Sequence, residues 1–534
     1  MVTFKDPAPA PTKNSSDKQD LTGRNRRVYN VFIGWLGQLV FVVSGFILPR
    51  LIDTDLGKEA LGVWDFAWSL ITYFEFIYSS LTSSVNRYVA KYRAVDDIHG
   101  VNTAVNSAFF ALIILAALVG LLSTATSLLL PFFMQERLGI QTTDAQWVIF
   151  YLGLGLVIKI CLAVFGGVLT GCHRWDLQHG INAANRLVTL LGMILVLFFD
   201  GGLPELALVY LCLETLVLSS RCSLVFRICP GLRIDPRLAR RTTTANMWRF
   251  GAKTLLPDLG DLLSNQTFNL LLIWFLGPAA LAGYARPRGL VRHIQTFARR
   301  YSFTLTPTAS SLQAMSADQE TRELFIHSCQ TGAYIVFPMV AVLAITGGPI
   351  LQIWMGQEYA DDFLPAILAL GYLPFLLQLP LNNILQGCNS HGWPGLFKFI
   401  ASVAGIGSAW VALAFFHSGV IGAAIVLFLP FWVSEVVATP VYAASRHGFC
   451  LKQYWLAGIF FPLLIITPMI ICLLVFRLTC ATRPYWILIG GVPLAICCFA
   501  VTYWFFGASQ DFRKNVVSYI LSSRYLNNSS AREE

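Results

Sequence analysis

The sequence predicts an all-α polytopic membrane protein of about 14 transmembrane helices: two six-helix lobes related by an internal repeat, then two C-terminal helices. Three observations predict it. The 534 residues are 56% hydrophobic and only 13% charged, with a mean hydropathy of +0.62. Soluble domains carry about 25% charged residues, so most of this chain belongs in lipid. Apolar runs of bilayer-spanning length recur along it. Short motifs also recur at a nearly constant offset.

The stretch 1–27 is polar and basic with no apolar core, and reads as a cytoplasmic tail rather than a signal peptide. Spans start near Val28, Leu61, Val101, Trp147, Gly180 and Leu203, then near Phe250, Pro278, Thr331, Phe363, Gly395 and Gly419, and last near Trp455 and Pro484. The expected organisation is a tail (1–27), an N-terminal lobe (28–220), a basic linker (221–249), a C-terminal lobe (250–445), two further spans (446–507) and a tail (508–534).

Orientation follows from the basic residues. Arg24, Arg26 and Arg27 precede the first span, and Arg87, Lys91 and Arg93 follow the second. The stretch 221–249 holds seven arginines against the single acid Asp235. Arg513, Lys514, Arg524 and Arg532 follow the last span. All fall on one side if the spans alternate, whereas loops 53–60, 131–146, 200–204 and 357–362 are poor in Lys and Arg. The loop near Arg477 and Arg483 is the exception. Both termini are therefore expected in the cytoplasm. The net charge of +9 needs no nucleic acid to explain it. The 12 cysteines are scattered without a CxxC pair, and read as core fillers rather than metal ligands or disulfides.

The repeat is carried by three matches. "LGKEALGVW" at Leu56 matches "LGPAALAGY" at Leu276, "LTGCHR" at Leu169 matches "LQGCNS" at Leu385, and "FFDGGL" at Phe198 matches "FFHSGV" at Phe415. The starting positions differ by 220, 216 and 217 in turn. Six spans return the chain to its starting side, so the copies share one orientation. Two like halves facing one another make an alternating-access design, with a site between them near the midplane.

Charges inside the spans point to that site. In the eighth span, "YARPRGLVRHIQTFARRYSF" (284–303), a central arginine costs about 2.5–3.5 kcal/mol on insertion scales. At about 100° per residue, Arg288, Arg292 and Arg299 fall within roughly 40° of one another, and Gln295 shares their stripe. Such a face belongs to a water-filled cavity, not to lipid. Arg286, Lys159 and Arg186 are added as cavity cations; Arg299 and Arg300 sit near the cytoplasmic rim, where snorkelling is the alternative. Asp258, Asp261, Asn265 and Asn269 share a face of the seventh span, Asp65 and Glu75 mark the second, and Gln38 the first. The carboxylates either couple transport to H⁺ or Na⁺ or neutralise the arginines. Lys398 and Glu435 are read as isolated structural charges. No cofactor and no bound metal are expected.

Several stretches resemble the polysaccharide transporter family, which includes the O-antigen flippases. They are "LPRLIDTDLGKEALGVWDFAWSLITYFEFIYSSLTSSVNRYVAKY" (48–92), "GPILQIWMGQEYADDFLPAILAL" (348–370) and "NNILQGCNSHG" (382–392). The superfamily also holds multidrug and toxin extruders and lipid II flippases. The resemblance implies a V-shaped cavity between two six-helix lobes. It also implies movement of an undecaprenyl-linked sugar between leaflets, with membrane lipids and polysaccharide polymerase or export machinery as partners. It fixes no single catalytic residue.

Two other function classes compete. An ion-coupled drug or metabolite extruder for cationic cargo calls for an acid-dominated cavity, against the deep arginines. A membrane enzyme calls for a sizeable outer loop with catalytic residues, yet the longest predicted one, 131–146, is short and has no dense His/Asp/Arg cluster. There is no GxxxxGK[ST] phosphate loop for ATP.

Overall fold

Proline and glycine punctuate the chain where its helices begin. The computed structural model describes residues 27–480, 483–508, 510, 513 and 514, with side chains at all of these except 27–31, 77, 79, 80, 83 and 250–258. Most of both predicted tails lies outside that range. The first half is α1 (Arg27–Leu56), α2 (Lys58–Ala94), α3 (Ile98–Leu138), α4 (Thr142–Gly171), α5 (Trp175–Phe198) and α6 (Leu203–Ile228). The second is α7 (241–276), α8 (Pro278–Phe303), α9 (Asp318–Met355), α10 (Phe363–Gly387), α11 (Gly392–Ala414) and α12 (Gly419–His447). A short helix, Leu305–Ala314, follows α8, and α13 (Leu451–Thr479) and α14 (Pro484–Gly507) end the bundle. Pro204, Pro278 and Pro484 occupy first-turn positions, where a missing N–H costs nothing.

Among the described residues, 10 segments are long and apolar enough to cross a membrane, one of which, Ile98–Gly171, contains both α3 and α4. Helices α2, α7 and α8 are not among them, because they carry the intramembrane polar and charged residues. The helices run further than the sequence predicts. α3 continues to Leu138, so the predicted outer loop 131–146 shrinks to the turn Gly139–Gln141. The predicted linker shrinks too, since α6 continues to Ile228 and α7 begins at Arg241.

The repeat is written in the packing. In the first half α1 packs on α5, α2 on α4, α3 on α4, α4 on α6 and α5 on α6; in the second, the same pairs recur six helices later. α13 and α14 pack on α9 and on each other. The turns repeat as well. Residues with positive φ pair across the halves: Gly57 (91°) with Gly277 (85°), Asp96 (58°) with Ser316 (54°), His173 (56°) with Asn389 (51°), and Asp200 (56°) with His417 (47°). The offsets within these pairs, 220, 220, 216 and 217, are those read from the motifs.

At the end of the bundle predicted to face outward, the halves are joined. Arg50 donates to the Met355 carbonyl, Trp354 Nε1 donates to the Phe46 carbonyl at 2.7 Å, and the Tyr359 hydroxyl donates to Asp53 Oδ1 at 2.5 Å. At Gly62 an added Cβ would lie 1.9 Å from the Pro278 carbonyl oxygen, so only glycine lets α2 and α8 meet there. At the other end the linker is strapped to α3. Asn102 donates to the Gly231 carbonyl (2.9 Å) and accepts from the Arg233 amide (2.7 Å). Asn106 donates to the Arg233 carbonyl (2.7 Å) and accepts from the Asp235 amide (2.8 Å). Two side-chain amides thus stand in for a neighbouring strand.

Candidate substrate cavity

The sequence predicts that α8 presents one polar stripe to one cavity. The structure divides that stripe between two environments. A cavity of about 800 Å³ lies between the N-terminal half and α8. Of the predicted residues, Gln38 (α1), Glu75 (α2), Lys159 (α4), Arg186 (α5) and Arg292 (α8) line it, and Arg300 joins them.

Arg292 is exposed to the cavity, its guanidinium without a hydrogen bond or ion pair among the described residues. The Arg186 guanidinium lies 4.3 Å from the centre of the Phe41 ring, with no described carboxylate within ion-pair distance. Arg300 donates to Gln38 Oε1 at 3.1 Å and lies 4.2 Å over the Trp35 ring. Among these four described cations only Lys159 is ion-paired, to Glu75. The second lining carboxylate, Glu214 of α6, accepts a hydrogen bond from Asn185. Four cations against two carboxylates, Glu75 and Glu214, leave the described wall with two surplus positive charges. Intramembrane cations lacking an acid are costly in lipid and are tolerated where water reaches them.

The other predicted residues with described side chains are placed elsewhere, which corrects the expectation that the charges inside the spans all point to one site. Arg286 is 4% exposed and paired with Asp65 of α2. Arg288, 8% exposed, donates from Nε (3.1 Å) and Nη2 (2.7 Å) to Asn265 Oδ1, and from Nη2 to Gln295 Oε1 at 3.2 Å. Tyr372 of α10 lies under its guanidinium, 4.1 Å from ring centre to Cζ, and donates to Asn265 Oδ1 at 2.7 Å. Asn269 donates to Ser69 Oγ at 2.9 Å, binding α7 to α2. Asp261 accepts from Arg299 at 3.0 Å and Lys398 at 2.7 Å, so Lys398 is not isolated. Glu435 accepts from Asn382 at 3.4 Å. The side chain of Asp258 lies outside the described residues. The physical reason for the division is that a helical wheel gives the angle of a residue but not what packs over it. α8 is flanked by α2, α7, α9 and α10, and of its residues Arg292 and Arg300 line this cavity.

Several lining residues were missed. Asn182, Asn185, Arg186 and Thr189 of α5 follow the i, i+3, i+4, i+7 pattern of one helical face, of which only Arg186 was singled out. Glu214 is a lone acid in the middle of α6. Trp64, Trp68 and Tyr210 also line the cavity. Nothing in a single aromatic residue within an apolar span separates a cavity wall from a core.

Comparison with known proteins places this geometry in context. The profile of a family described as "polysaccharide biosynthesis protein" matches residues 95–363. The uncharacterized membrane protein EpsK of Bacillus subtilis (strain 168) is 22% identical over 428 residues, covering 79% of this chain and 83% of that protein. The lipid II flippase MurJ, in an inward closed conformation, superposes with a TM-score of 0.66 at 12% identity, over 90% of this chain and 98% of MurJ. An inward-facing multidrug resistance transporter of the MATE family, within the MOP superfamily, gives 0.64 at 13% identity, over 81% of this chain and 99% of its own. At these identities the likeness is one of fold.

Proposed function

Because this chain belongs to the polysaccharide biosynthesis protein family, we propose that it is a flippase. It carries an undecaprenyl-pyrophosphate-linked oligosaccharide from the cytoplasmic to the outer leaflet by alternating access. The observation that carries the reading is the two-charge cation surplus of the cavity, with Arg292 bare at its wall. A guanidinium fork matches phosphate oxygens in two-point contacts, and a pyrophosphate diester carries two negative charges. Arg186, Arg292 and Arg300 hold the pyrophosphate, the sugars fill the remaining volume, and the lipid tail stays in the bilayer. The protein is a transporter, not an enzyme, in the inner membrane with both termini cytoplasmic, delivering to polymerase or export machinery. The contacts of Asp261 with Arg299 and Lys398 favour charge neutralisation over ion coupling for that carboxylate.

The alternative, an extruder of cationic cargo, is disfavoured by the same surplus. The test is reconstitution in vesicles with a polyprenyl-pyrophosphoryl sugar, reading leaflet exposure with a membrane-impermeant oxidant. Arg292→Ala should slow flipping at least about tenfold, equivalent to about 1.4 kcal/mol. Unchanged flipping would refute the phosphate site.

A further inference from the structure

Part of the cavity wall is aromatic rather than charged. Trp68 and Tyr210 both line it, their rings 5.2 Å apart and nearly perpendicular at 84°. Trp64 buttresses Trp68, with centroids 6.2 Å apart at 70°. Two rings at right angles form an aromatic corner, and the C–H faces of pyranose sugars stack on such surfaces while their hydroxyls need donors and acceptors alongside. Asn182 is exposed in the same cavity, its Oδ1 held by Arg221 at 2.7 Å, so its amide donor points to what remains.

This wall carries two carboxylates. Glu75 is neutralised by Lys159, and Glu214 is held by Asn185. The two surplus positive charges of the lining match the two of a pyrophosphate diester, and a carboxylate on the sugar would face Glu214, whose hydrogen-bond partner Asn185 is neutral. Resting on the proposed reading of the arginines as the pyrophosphate site, we infer that Trp68, Tyr210 and Asn182 form a separate subsite for an uncharged sugar. The class is a neutral hexose or N-acetylhexosamine next to the pyrophosphate, in preference to a hexuronic acid.

The test is binding to the full-length protein in nanodiscs. The probes are the methyl diester of polyprenyl pyrophosphate, which keeps two charges and serves as bare pyrophosphate, the N-acetylglucosamine conjugate and the glucuronic acid conjugate. The neutral sugar should tighten binding over bare pyrophosphate by roughly two- to tenfold, the worth of one aromatic contact. Trp68→Ala should erase that gain while leaving the affinity for bare pyrophosphate intact, and Trp68→Phe should restore part of it. Asn182→Ala should also reduce the gain, and because it releases the buried Arg221 its effect is read as the ratio of conjugate to bare pyrophosphate affinity in the same variant. A sugar gain that survives both Trp68→Ala and Asn182→Ala overturns the subsite. Glucuronic acid bound as tightly as N-acetylglucosamine overturns its preference for neutral sugars. Arg292→Gln should weaken all three ligands by a common factor. If it weakens none while Trp68→Ala still removes the sugar gain, the pyrophosphate reading fails and the sugar subsite stands.

Discussion

Arg288 and Arg292 stand one helical turn apart in different surroundings. Arg288 is held by neutral groups, Asn265, Gln295 and the Tyr372 ring, which leave its Nη1 without a hydrogen-bond partner, and so ties α7, α8 and α10 together. Removing it strands a buried carbonyl acceptor and an aromatic face. Arg288→Ala should therefore destabilise the protein by about 2–3 kcal/mol, read as a lower unfolding temperature in detergent. Arg292→Ala should leave that temperature unchanged while impairing flipping, and the reverse pattern would exchange the two roles. Asp261→Ala leaves Arg299 and Lys398 facing each other without an anion. Because the Asp261 and Arg299 side chains are 28% and 49% exposed, the full cost of breaking a buried pair is discounted. The expected loss is about 1–3 kcal/mol, measurable by the same thermal scan. The presence of deep arginines was legible in the sequence, since every charge inside a span demands a partner or water. Which arginine met which was not. The partners arrive from α2, α7 and α10, and no spacing within α8 encodes what they cover.

The elements were more legible than the contacts, because their signals are local. Proline at the first turn of α6, α8 and α14 and glycine before α2 and α8 mark starts close to those observed. Ends were misjudged where a helix runs on beyond its predicted apolar run, as α3 and α6 do, since hydropathy marks that run and helical hydrogen bonding does not stop with it. The linker illustrates this. A run of arginines read as a basic linker is helical at both ends, and its middle is held by Asn102 and Asn106. The repeat adds a test at this scale. Gly57 and Gly277, at equivalent helix starts, share a positive φ of 91° and 85°, a region that L side chains rarely adopt. Gly57→Ala and Gly277→Ala should each cost about 1 kcal/mol or more by thermal unfolding, and by similar amounts, as the repeat requires. Gly62→Ala meets the Pro278 carbonyl instead, so it should pry α2 from α8. Its signature is increased labelling of a cysteine placed at Ala280, read with an impermeant maleimide; unaltered labelling would mean that the two helices part without consequence.

For the molecule as a whole, alternating access requires the two halves to separate at one end while meeting at the other. In this state they meet where Arg50, Phe46 and Asp53 of α1 hold Met355, Trp354 and Tyr359. None of these bonds lies within one lobe, and all must break for a substrate to leave on that side. The linker end behaves differently, because its strap belongs to the N-terminal half and its far end is carried into α7, where Thr244 donates to the Ser107 carbonyl at 3.0 Å. Outward opening is therefore expected to rupture the α1–α9 contacts and spare the strap. A reversible test places cysteines at Asp53 and Tyr359 in a background lacking the 12 native ones and joins them with a short bis-methanethiosulfonate. Flipping should stop on cross-linking and return on reduction, while single-cysteine controls keep activity. The same reagent joining Asn102→Cys to Arg233→Cys should leave flipping intact. Persistent flipping with the first pair joined would mean that the bundle opens without parting at this end. Arrest by the second pair would mean that the linker moves against α3 during the cycle.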